Sequence, residues 1–188
     1  MKKFIVFVMM ICIVVISSTA SAEIQRTHLY DQKISVLTQK LQSMGIKIWN
    51  VEYLTASGFS GCEARFGDNP NNQLAFIAEN ADTISAMAIV TQFAAADHPN
   101  YPALQQTFEL TGATLNIVGL TTEDANKLVQ EIKSDFLTAV ADKPNITKHH
   151  KEFSSYSVQT QRLIVAEIFV EELSHGVGEL KICIRACA

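Results

Sequence analysis

The chain has 188 residues, 48% of them hydrophobic and 18% charged, with four cysteines and a formal charge of −4. That balance excludes a disordered, collagen-like or cysteine-dense chain, because the apolar content is high enough to build a core without a disulfide scaffold. It also lacks the basic excess that phosphate contacts demand, so no nucleic acid is expected as a partner.

Residues 1–22 read as a secretory signal peptide. Lys2 and Lys3 give the positive start, residues 4–16 form a 13-residue apolar run, and Ala20-Ser21-Ala22 is the small-x-small pattern that signal peptidase accepts. A membrane span needs about 20 apolar residues, so none is expected after cleavage, and the expected location is periplasmic or secreted. Ile11 is too bulky to precede a lipidated cysteine, which leaves Cys12 as a member of the apolar run. The remaining 166 residues carry 13 basic and 19 acidic side chains, a charge of −6. They are enough for one domain over 23–188 and too few for two.

In chain order, Tyr30, Ile34, Leu37, Leu41 and Met44 recur at helical spacing and predict a helix over 28–44 that Gly45 stops. Residues 47–55 read as a strand with Trp49, Val51 and Tyr53 on one face and Ile48, Asn50, Glu52 and Leu54 on the other. Residues 62–66 and 73–79 flank the turn formers of 67–72 and predict a hairpin. Residues 82–97 are apolar on nearly all sides, with polar positions only around Ser85 and Gln92, which predicts a buried helix. Pro99 and Pro102 impose a loop after it.

Two extended runs are expected at 105–110 and 113–119, with Thr111-Gly112 as their turn. Thr121 or Thr122 can cap the next helix, whose inner face carries Ala125, Leu128, Val129, Ile132, Phe136 and Val140, and residues 142–145 end it. Residues 163–170 are apolar on both faces and fit a strand or a helix. The β-branched Ile164, Val165, Ile168 and Val170 favour a strand. So does the short link into 179–186, where Leu180, Ile182 and Ile184 alternate with Glu179, Lys181, Cys183 and Arg185. The expected class is α+β, a mainly antiparallel sheet with about three helices, one of them largely buried.

Export places Cys62, Cys183 and Cys187 where disulfides form. In an extended segment Cys183 and Cys187 stand about 13 Å apart, beyond disulfide reach. Cys62 is then the expected partner of one of them, a bond that would limit the unfolded chain by ~4–5 kcal/mol. The leftover thiol is either buried or, at Cys187 near the end, available to join two chains into a homo-oligomer.

Candidate chemistry is sparse. Cys62 follows Ser57-Gly58-Phe59-Ser60-Gly61, and His98 or His175 could act as its base, but nothing in the spacing fixes that geometry. His149, His150 and Glu152 are a dense group of ligand types, yet adjacent histidines point apart and no i, i+4 partner follows, so a polar loop without metal is expected. Residues 68–72 resemble the start of a calcium loop but lack its glycine and distal glutamate. Gly176-Val177-Gly178 lacks the strand-to-helix context of a phosphate cradle. No Gly-x-Ser-x-Gly, His-Glu-x-x-His or Gly-Lys-Ser/Thr motif occurs, so no catalytic, cofactor or metal residue is assigned. Trp49 and Tyr53, with Phe59 nearby, are the candidates for a partner-binding groove. The expected function is an exported, non-catalytic protein that binds another protein or an envelope component. The alternative is a small secreted or periplasmic hydrolase whose site is assembled from distant residues.

Overall fold

Alternating apolar and polar residues build one layer of the molecule and helical periodicities build the other. The structure, a computed structural model, describes residues 26–56, 59–80, 83–94, 102–141, 148–174 and 176–187. In chain order the elements are β1 (Arg26–Thr27), α1 (Ile34–Ser43), β2 (Ile48–Ala56), β3 (Phe59–Phe66), β4 (Gln73–Asn80), β5 (Thr83–Ala94), α2 (Pro102–Ile117), α3 (Thr122–Ala141), β6 (His149–Ser157), β7 (Arg162–Ser174) and β8 (Val177–Cys187). The strands form one antiparallel sheet in the order β2-β3-β4-β5-β8-β7-β6, and the short β1 pairs with the end of β8 beyond β5. The class is α+β.

Several elements follow their local signals. Gly45 ends α1 at a positive φ of 87°, with Ile46 N–H donating to Leu41 O and Gly45 N–H to Gln42 O, which satisfies the last carbonyls of the helix. Thr121 caps α3 by accepting the Asp124 amide at 3.1 Å, and Ala125, Leu128, Val129, Ile132 and Phe136 are its buried face. The hairpin β7–β8 is a long continuous ladder, with Leu180, Ile182 and Ile184 turned to the core.

Four expectations are corrected. Residues 83–94 of the expected buried helix form β5, an inner strand buried on both faces, so its outer positions Ala86, Ala88 and Val90 are as apolar as its inner ones and hide the two-residue period. The two extended runs at 105–119 are one helix, α2. There Thr107, Thr111 and Thr114 donate their hydroxyls to the carbonyls of Ala103, Thr107 and Leu110, so burial leaves these hydroxyls satisfied. This is the helix that is largely buried. Residues 149–152 lie on the edge strand β6 and not in a loop, and α1 starts at Ile34 because Tyr30 is held in a bridge to Ile84. The expected signal segment, residues 97–101 of the expected loop and residues 142–145 lie outside the described residues, while Pro102, expected in that loop, is the first residue of α2.

The three helices among the described residues pack on one face of the sheet. Leu37, Leu41, Leu104, Leu110, Leu128, Ile132 and Phe136 meet Leu74, Phe76, Ile89, Ile168, Ile182 and Ile184 in a single core, each such side chain contributing ~1.5–3 kcal/mol of burial. Phe136 sits edge-on to Phe93 at 5.3 Å and to Phe108 at 6.1 Å. The opposite, reverse face has its own small apolar cluster of Ala75, Ala88 and Cys183 with Ile77 and Phe169, to which no helical residue contributes.

Candidate recognition face

The pleat sends every second residue of β7 and β8 to the reverse face, and at these positions the sequence places charge. β8 contributes Glu179, Lys181, Cys183 and Arg185; β7 contributes Glu167, Phe169 and Glu171; β6 contributes His150 and Glu152. Arg185 Nε donates to Glu167 Oε1 at 2.9 Å and its Nη2 to Glu152 Oε2 at 2.9 Å. The other oxygen of Glu167 lies 3.2 Å from His150 Nε2, and the His150 ring stacks on Phe169 at 4.3 Å. Lys181 Nζ lies 2.7 Å from Glu171 Oε1 and 2.9 Å from Glu179 Oε1, and Gln92 donates to Glu179 Oε2.

These contacts form a lattice of charges across three strands, joined to β5 by the Gln92 amide, and its centre is buried: Glu167, Glu179 and Lys181 are 3–5% exposed. Buried charges persist only when paired. Burial by itself pulls the Lys181 ammonium toward neutrality, but hydrogen bonds and charge from Glu171 and Glu179 outweigh it and hold the group above the ordinary lysine range. Lys181 is therefore a fixed cation.

The structure separates the aromatics expected to share a groove. Asn50 takes a positive φ of 50°, and the ladder steps from Trp49 opposite Arg65 to Glu52 opposite Glu63. Two residues therefore face one, and this bulge reverses the side-chain alternation of β2. Trp49 points to the reverse face, with its indole N–H donating to Gly67 O, while Tyr53 pairs with core-facing Cys62 on the helix side. The Phe59 side chain lies outside the described residues.

The cysteines are also kept apart. Cys62 faces the core from β3, whereas Cys183 and Cys187 belong to the reverse side of β8, three strand positions away, or ~14 Å. All three are buried and no disulfide joins any two of them, so the pairing expected for Cys62 is not made. Burial, aided by the neighbouring charge of Glu63, pushes the Cys62 thiol up to about 12, which removes the thiolate that a nucleophile needs near neutrality. Cys187 instead accepts a 2.8 Å contact from Arg185 Nη1. His98 and His175 lie outside the described residues.

His149 and His150 do diverge, as adjacent residues on a strand must. His149 reaches Asp135 of α3 at 2.6 Å, beside Lys151, which bonds the same carboxylate at 2.7 Å. Residues 67–72 form the turn of the β3–β4 hairpin, where Asn69 Oδ1 accepts the Asn71 amide and Lys47 pairs with Asp68. Among the described residues no group of three or more His, Cys, Asp or Glu side chains converges as metal ligands would, and no helix is long and apolar enough to cross a membrane.

No family model matches the chain, and no curated protein or solved structure matches it.

Proposed function

We propose that the chain is an exported, non-catalytic binding protein that recognises a cationic surface of another secreted or envelope protein through the reverse face of its sheet. The observation that supports this reading is the acidic excess of the lattice. Four carboxylates, those of Glu152, Glu167, Glu171 and Glu179, meet two fixed cations, Lys181 and Arg185, with exposed Lys148 and half-exposed His150 at the rim. The unmet negative charge matches the −6 of the exported chain and suits lysine or arginine side chains on a partner. Ion pairs already locked in one geometry need little ordering when a partner arrives. The protonated Cys62 thiol speaks against the hydrolase alternative in its cysteine form.

Site-specific photocrosslinking in the producing cell tests the reading. A benzophenone amino acid at Phe169 on the reverse face is expected to yield an adduct with a second protein, with a yield that falls as salt rises. The same probe at Glu131, exposed on α3, is expected to yield none. Equal adducts from both positions, or none from Phe169, would overturn it.

A further inference from the structure

The two edges of the sheet differ. On β2 the bulge at Asn50 breaks the ladder, a common device against unwanted pairing. On β6 all nine residues, His149–Ser157, pair in unbroken register with β7, and among the described residues β6 has no other strand beside it. The side chains that would block this edge from the helix side, His149 and Lys151, are drawn back onto Asp135. Its far end carries exposed Tyr156, followed by exposed Val158.

The residues of β6 also complement themselves. In a continuous sheet, residues opposite one another must share a face, so even positions pair with even and odd with odd. An antiparallel two-fold at Phe153, the midpoint of the strand, pairs all nine residues. It sets Glu152 against Ser154, Lys151 against Ser155, and His150 against Tyr156. A two-fold at Lys151 or Glu152 would oppose like charges, and centres nearer the strand end leave residues of β6 unpaired.

We infer that two copies of the chain join edge to edge through β6, antiparallel about a two-fold axis at Phe153, and that their reverse faces then form one continuous surface. The inference goes beyond the proposed function, since the edge and the face are separate surfaces.

Sedimentation of the mature protein over a concentration series tests it. The wild-type chain is expected to sediment as a dimer. Ser154→Glu sets a carboxylate opposite Glu152 of the second copy at two symmetric positions and is expected to weaken the dimer roughly tenfold or more. Ser154→Lys places opposite charges there and is expected to keep or tighten it. Ser154 is exposed, so both variants should fold. A wild-type chain that stays monomeric up to about 100 µM, or a dimer that both variants leave equally intact, would overturn the inference. A monomer that still gave the Phe169 adduct would sink the dimer alone.

Discussion

Arg185 donates from Nε to Glu167 Oε1 at 2.9 Å across the β7–β8 ladder, and Glu167 is the more deeply buried partner, its side chain 4% exposed against 19% for Arg185. Removing the arginine strands a charge that water cannot reach. Arg185→Met is therefore expected to cost ~3–5 kcal/mol. Glu167→Met is expected to cost less, because Arg185 keeps Glu152 and some access to water. The double variant replaces the pair with apolar volume and is expected to return to within about 1 kcal/mol of wild type. Urea unfolding midpoints of the four proteins measure all three differences.

Thiol titration of the chain from residue 23 onward is expected to find three titratable thiols and no disulfide. Cys62, Cys183 and Cys187 are 1%, 6% and 2% exposed, so reaction with an aromatic disulfide reagent should be slow in the native state and complete in denaturant. The mass in non-reducing conditions should match the reduced mass, because Cys187 is enclosed between β1 and β7 and not offered to a second chain. Finding one free thiol, with Cys62 oxidised, would contradict the sheet register.

Gly119 closes α2 at a φ of 108°, and a Cβ there would meet Thr160 Cγ2 at 2.7 Å and Ser157 Oγ at 2.8 Å. Ser157 donates to Gly119 O and accepts the Thr160 amide, tying the α2–α3 corner to the β6–β7 turn. Gly119→Ala is expected to destabilise by ~1–3 kcal/mol through strain and crowding. Ser157→Ala should cost ~1–2 kcal/mol, since it leaves a buried carbonyl unpaired. Thermal or urea denaturation measures both.

Asp135 should govern part of the acid response. Burial raises its carboxyl, but hydrogen bonds from Lys151 and His149 outweigh that and hold it below the ordinary range. A depressed carboxyl gives stability that is present above its unfolded value of ~3.9 and is lost as pH falls through the folded value. Asp135→Asn should therefore be less stable than wild type at pH 7, and the gap should close as pH drops below about 4. Lys181, held above its ordinary range, behaves in the opposite sense: its contribution is complete below ~10.4 and is lost as pH rises through the folded value. Unfolding curves across the pH series measure both.

The legible parts of the fold were those with one wet and one dry face. α3 shows its buried stripe from Ala125 to Phe136, and β8 shows Leu180, Ile182 and Ile184 against charged neighbours. β5 is dry on both sides and β6 is largely wet, so neither carries a period-two signal strong enough to read. The threonines of α2 favour strands by propensity and become helical because the i−4 carbonyls accept their hydroxyls. The bulge that separates Trp49 from Tyr53 hangs on the backbone of Asn50, which side-chain patterning does not reveal. The lattice did have a signal: opposed strands of a terminal hairpin carrying Glu167 and Glu171 on one side and Lys181 and Arg185 on the other. Which face that charge lay on, and that it was buried, required the register.

If the acidic excess of the lattice serves recognition, stability and binding should come apart when its more accessible carboxylates are neutralised. The most direct measurement is the Phe169 photocrosslink repeated in the Glu152→Gln/Glu171→Gln double variant, which cancels the excess and leaves the Arg185–Glu167 and Lys181–Glu179 pairs in place. The expected result is a protein as stable as wild type to within about 2 kcal/mol that no longer forms the adduct. A double variant that folds equally well and retains the full adduct would contradict the assignment of the reverse face as the recognition surface.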